Sequence, residues 1–134
     1  MNRNNLLFVI EDETKNKFGY FLSPKVTKYN CWIATGSKSF LFTLERNGRH
    51  QQPMKYESIE NTGIWLHDKS HDDLCSLGNC YDDINLKKKE RRNECYNLQS
   101  EEYFNYHDIE KAVNGKEGFD DIYTLERLVV IQMI

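Results

Sequence analysis

The stretch from Lys38 to Glu45 reads Lys-Ser-Phe-Leu-Phe-Thr-Leu-Glu, and it constrains the fold more than any other part of the chain. Alternation sets Phe40, Phe42 and Leu44 on one side of a strand and Leu41 and Thr43 on the other. A period of two with aromatic and β-branched content favours a strand over a helix. Leu41 on the second face predicts cover on both sides, as inside a sandwich. The stretch is therefore expected to be the central strand, with Phe40, Phe42 and Leu44 among the core residues.

The flanking segments repeat the same signal. Leu6 to Ile10 is a short apolar run closed by Glu11-Asp12-Glu13, and Lys17 to Leu22 returns as a second strand, so a hairpin is predicted across Asp12 to Asn16. Gly19 inside the second strand predicts a bulge or a close backbone approach. Pro24 ends that strand because it has no N–H to donate. Trp32 and Ile33 read as an apolar plug rather than a full strand. Beyond the turn at Asn47 to Arg49, strands are expected at Met54 to Ile59, Ile64 to Leu66, Leu74 to Leu77, Ile84 to Leu86 and Glu94 to Leu98. A helical signature precedes Asn114-Gly115, over Asp108 to Val113. Leu125 to Ile134 is the most β-prone stretch and is expected to lie inside a sheet. The reading is a mainly β (α+β) fold: a two-sheet antiparallel β-sandwich with one or two short helices, residues 1–134 forming one domain. The expected core comprises Phe8, Ile10, Phe18, Phe21, Phe40, Phe42, Leu44, Trp65, Leu74, Ile84, Val129 and Ile131.

A chain of 134 residues can bury a core. Its net charge of -3 gives no long-range attraction to nucleic acid, and the basic block Lys87, Lys88, Lys89, Arg91, Arg92 carries no interleaved aromatics. That block reads as a solvated loop, with a docking patch for an acidic partner as the other reading. No run is long and apolar enough for a signal sequence or a membrane span, which predicts a cytoplasmic protein without membrane insertion. Cys31, Cys75, Cys80 and Cys95 are accordingly expected to be reduced thiols.

Three constellations bear on chemistry. His67, His71, Cys75 and Cys80 have metal-ligand residue types, but their spacing lacks the paired knuckles of a zinc site, so they read as isolated surface histidines with half-buried cysteines. The acidic pairs Asp72-Asp73, Asp82-Asp83, Glu101-Glu102 and Asp120-Asp121 point to opposite strand faces and read as turns and edges. Cys95 follows Arg91 and Arg92, which would lower its pKa if it were exposed, and His107 is the nearest downstream imidazole. No catalytic, cofactor or metal residue is assigned, and no cofactor is expected.

Read in order, Phe18-Gly19-Tyr20-Phe21, Trp32, Ser39-Phe40-Leu41-Phe42-Thr43-Leu44, Pro53 to Tyr56, Val113-Asn114-Gly115 before Phe119, and Leu128 to Met133 resemble the strand motifs of the TLDc domain, shared by eukaryotic oxidation-resistance proteins. Leu77 to Ile84 resembles its glycine-rich segment in reduced form. The resemblance covers the later part of that domain, so the chain is expected to be a short or amino-terminally truncated member lacking the usual helical part. It implies a β-sandwich with no established active site, protection against oxidative stress, and binding to subunits of the vacuolar proton-pumping ATPase. The expected function is a non-enzymatic protein-interaction module. The alternatives are a thiol-based peroxide scavenger and a domain fragment without independent function.

Overall fold

The computed structural model describes residues 3–34, 38–46, 49–57, 63–78, 84–97 and 121–134. In chain order they form β1 (Leu6–Asp12), β2 (Lys17–Leu22), β3 (Trp32–Ala34), β4 (Phe40–Arg46), β5 (Arg49–Glu57), β6 (Gly63–Leu66), β7 (Asp73–Gly78), β8 (Ile84–Lys87), a 3-10 segment (Lys89–Glu94), β9 (Cys95–Asn97), β10 (Asp121–Tyr123) and β11 (Leu125–Gln132). The first sheet has the order β11-β1-β2-β4-β5 and the second β10-β9-β8-β7-β6-β3, with every pairing antiparallel. The mainly β, two-sheet architecture is thus as expected, while the helix expected at Asp108 to Val113 lies outside the described residues.

The β1–β2 hairpin forms where the sequence places it, and Asp12 explains why. Its buried carboxylate accepts from Thr14 N and Oγ1 and from Asn16 N through Oδ1, and from Asn16 Nδ2 through Oδ2, all at 2.8–3.0 Å. A buried charge satisfied by several donors within one turn fixes the turn geometry and hence the register of both strands.

Strand alternation then builds the core. Leu6, Phe8 and Ile10 of β1 and Phe18, Tyr20 and Leu22 of β2 face Ile64 and Leu66 of β6, Cys75 and Leu77 of β7, and Ile84 and Leu86 of β8 in one buried cluster. Phe18 meets Tyr123 of β10 edge to face across the sandwich, ring centroids 5.4 Å apart. Each fully buried Leu or Ile contributes roughly 1.5–3 kcal/mol relative to exposure.

Several expectations are corrected here. The core-facing residues of β4 are Leu41, at 0% exposure, and Thr43, not the Phe40, Phe42 and Leu44 face. Phe42 is buried on the outer face instead, because Gly19 opposite it leaves room: a Cβ there would stand 2.7 Å from Phe42 Cζ and collide with the carbonyl oxygen of Phe8. Phe40 stacks on Phe21 beside it, centroids 5.0 Å apart, and both are half-buried. Leu44 sits at the register shift between Thr43 and Glu45 and is only half-buried. β4 is an interior strand as expected, paired with β2 and β5, while β2 is the middle one of the described strands of this sheet.

β11 pairs with β1 alone and forms an edge of the described sheet, not an interior strand; Ile131 is 43% exposed. Leu74 is exposed because the register shift between Asp73 and Cys75 turns it away from the core. Trp65 and Val129 are half-buried on outer faces. Trp32 and Ile33 belong to a real strand, β3, paired with Trp65 and Ile64 of β6.

Candidate functional site

The polar residues of the second sheet converge at the turn joining β6 to β7, spanning 67–72. Asp68 organises it. Its Oδ1 accepts from Ser70 N at 2.8 Å and Ser70 Oγ at 2.6 Å, and its Oδ2 accepts from Asn30 Nδ2. Asn30, whose backbone has φ 52°, returns an Oδ1 acceptor to Asp68 N at 3.0 Å. Left-handed backbone of this kind is one that asparagine tolerates better than most residues. The Ser70 hydroxyl, then Asn30 and the Ser70 amide, hold the Asp68 carboxyl down at about 2. Lys88 closes the turn from the β8 side, its Nζ donating to the carbonyl oxygens of Asp68 and His71.

This frame brings three groups together. His67 and His71 stack, ring centroids 4.2 Å apart at 16°, with Trp65 on the outer side of His67 at 6.0 Å. Asp73 opens β7 beside them. Its amide N–H donates to His71 Nδ1 at 3.1 Å, and its Oδ2 lies 3.8 Å from the same nitrogen. Lys87 pairs with Oδ1 of Asp73, while Asn85 Nδ2 donates to Oδ2 at 3.3 Å and to Ser76 Oγ at 3.2 Å. Burial pushes the Asp73 carboxyl up, but the bonds from Lys87 and Asn85 outweigh it and hold the group below its usual range.

The histidines that the spacing treats as isolated are therefore neighbours, and their companion is Asp73 rather than a cysteine. Cys75 is buried in the core between the sheets, and Cys80 lies outside the described residues. Residue spacing names the two imidazoles. Asp73 goes unrecognised because an acid beside another acid looks like a turn, although its contact with His71, two residues earlier, is local to the same turn.

Next to this turn, the basic block runs from Lys87 at the end of β8 through Lys88 into the 3-10 segment between β8 and β9, none of whose residues is buried. Arg91 turns back to Asp72 at 3.2 Å and to Glu94 at 2.7 Å. Lys87, Lys88, Lys89 and Arg92 line a groove of about 520 Å³ together with the apolar Leu74, Leu125 and Leu128. Glu90 and Glu126 are its acidic members.

Cys95 is fully buried at the start of β9, where the Lys87 N–H donates to its sulfur at 3.2 Å. Burial pushes the thiol above its ordinary range, the opposite of the activation that flanking arginines would give an exposed one. Arg91 is engaged with carboxylates, and His107 lies outside the described residues. Cys31 is half-buried.

Among the described residues, no helix is long and apolar enough to cross a membrane. In comparisons with known proteins, a family model described as the TLDc domain matches residues 1–111 of this chain. No curated protein and no solved structure matches it significantly.

Proposed function

Given that this chain belongs to the TLDc family, we propose that it is a non-enzymatic interaction module of TLDc type, acting in the cytoplasm on a protein partner. The family match over residues 1–111 carries this reading. By the same kinship the proposed partner is the vacuolar proton-pumping ATPase, with a role in protection against oxidative stress.

The groove beside β11 supports a docking role. It combines three leucines with four basic and two acidic residues, on a chain whose net charge is -3. Lys89 and Arg92 are exposed and form no ion pair among the described residues. Such an arrangement suits an acidic segment that also carries apolar side chains, with charge setting encounter and orientation and the apolar contacts prolonging the complex.

The peroxide-scavenger alternative needs an accessible thiolate, and Cys75 and Cys95 are 1% and 0% exposed, with the Cys95 thiol pushed up by burial. The test is binding of the purified full chain to purified vacuolar pump. Saturable binding, with a slower association rate in the Lys89→Glu/Arg92→Glu variant, is expected. No binding under conditions where a longer TLDc protein binds the pump would overturn the pump assignment.

A further inference from the structure

We infer that the β6–β7 turn is a divalent-cation site formed by His67, His71 and Asp73, suited to zinc or a similar borderline ion. One ligand atom from each of the three lies within 4.8 Å of the other two. Two imidazoles and one carboxylate form a donor set for zinc and its neighbours in the transition series. Calcium and magnesium, which take shells of oxygen ligands, are poorly served by a single carboxylate.

The geometry identifies the lone pair that would bind. A backbone amide can only donate, so in the bond from Asp73 N the acceptor is His71 Nδ1, the lone-pair atom turned toward Asp73. That nitrogen is 3.8 Å from Asp73 Oδ2. Ligands at about 2.1 Å from a shared tetrahedral zinc stand about 3.4 Å apart. Closing the difference takes a movement of roughly 0.4 Å, with the ion replacing the Asp73 amide as the partner of Nδ1. The His71 side chain is 53% exposed, so its ring can turn out of the stack on His67 and water can reach the site. Open coordination positions would be filled by water.

The surrounding charges set the strength. Lys87 occupies the other oxygen of Asp73, and Lys88 sits on the carbonyl oxygen of His71; both repel a cation. Asp68 and Asp72 supply opposing negative charge, although Asp68 is engaged by Ser70 and Asn30, and Asp72 by Arg91. Asn85 donates to Asp73 Oδ2 and holds the ligand oxygen in place, as groups around metal ligands commonly do. The hydrogen-bonded turn holds the three residues close to one another before any ion arrives. An isolated His-Asp cluster on a mobile loop would first have to be ordered.

The experiment is a zinc titration of the full chain followed by calorimetry, with the same titration on His71→Ala. That residue is exposed, so its removal should leave the fold intact, which a thermal melt checks. The expected result is one zinc per chain, shifted imidazole NMR signals for both His67 and His71, and at least about tenfold weaker binding in the variant. Cobalt(II) serves as a second probe, because thiolate ligands give it a strong sulfur-to-metal charge-transfer band that imidazole and carboxylate ligands do not. Absence of saturable binding, unchanged affinity in His71→Ala, or a thiolate band from cobalt would each overturn the site.

Discussion

Leu41 and Phe40 are neighbours on β4, and replacing each by alanine asks which face of that strand is the core. Leu41 is at 0% exposure within the main cluster, opposite Tyr56 of β5 and Tyr20 of β2. Removing its side chain there forfeits transfer free energy and leaves a cavity, a combined cost of about 2–5 kcal/mol. Phe40 is half-buried on the outer face, where it stacks on Phe21 and carries the Lys55 ammonium at 4.5 Å from its centroid. Those contacts amount to roughly 0.5–1.5 kcal/mol for the ring pair and 0.5–1 kcal/mol for the cation. For a chain of this size a loss of 3 kcal/mol lowers the melting temperature by roughly 10–15 °C. Thermal melts of the two variants under identical conditions should therefore place Leu41→Ala well below Phe40→Ala. The reverse order would mean that β4 presents its aromatic face inward, which requires a one-residue slip of the strand.

Three further outcomes follow from local chemistry. Asp12→Ala strips the β1–β2 turn of its common acceptor and should cost about 2–4 kcal/mol by urea denaturation, since buried donors on Asn16 are left unpaired; a loss under 1 kcal/mol would show that the turn does not depend on this carboxylate. Because the folded state lowers the Asp68 carboxyl from 3.8 to about 2, its contribution is fully present above pH 4 and is lost as pH falls toward 2; the Ser70 amide signal should keep its hydrogen-bonded shift down to about pH 3 and then titrate, and a midpoint near 4 would refute the bonding. Cys95 should resist iodoacetamide in the native chain and react only on unfolding, while the half-buried Cys31 reacts sooner; mass-spectrometric mapping that finds Cys95 modified first would contradict its burial.

Much of the framework is local and hence legible in the amino-acid order. The Asp12–Asn16 hairpin follows from side chains that bond within their own turn, and the strands at Leu6, Lys17, Phe40, Ile64 and Leu125 follow from two-residue alternation and β-prone composition. The strand motifs from Phe18 to Tyr56 lie within the matched residues 1–111, and the close approach at Gly19 is implied by a glycine inside a strand. Alternation, however, defines two faces without saying which one is inward. Gly19 opposite Phe42 makes room for the aromatic ring on the outer face, so the smaller pair Leu41 and Thr43 meets the second sheet. Strand order decides the rest: β11 lies at an edge of the described sheet although its composition suits an interior, and Cys95 is sealed between layers although arginines precede it. Each of these depends on pairings between residues far apart in the chain, and the apolar pattern of a single strand does not encode its neighbour.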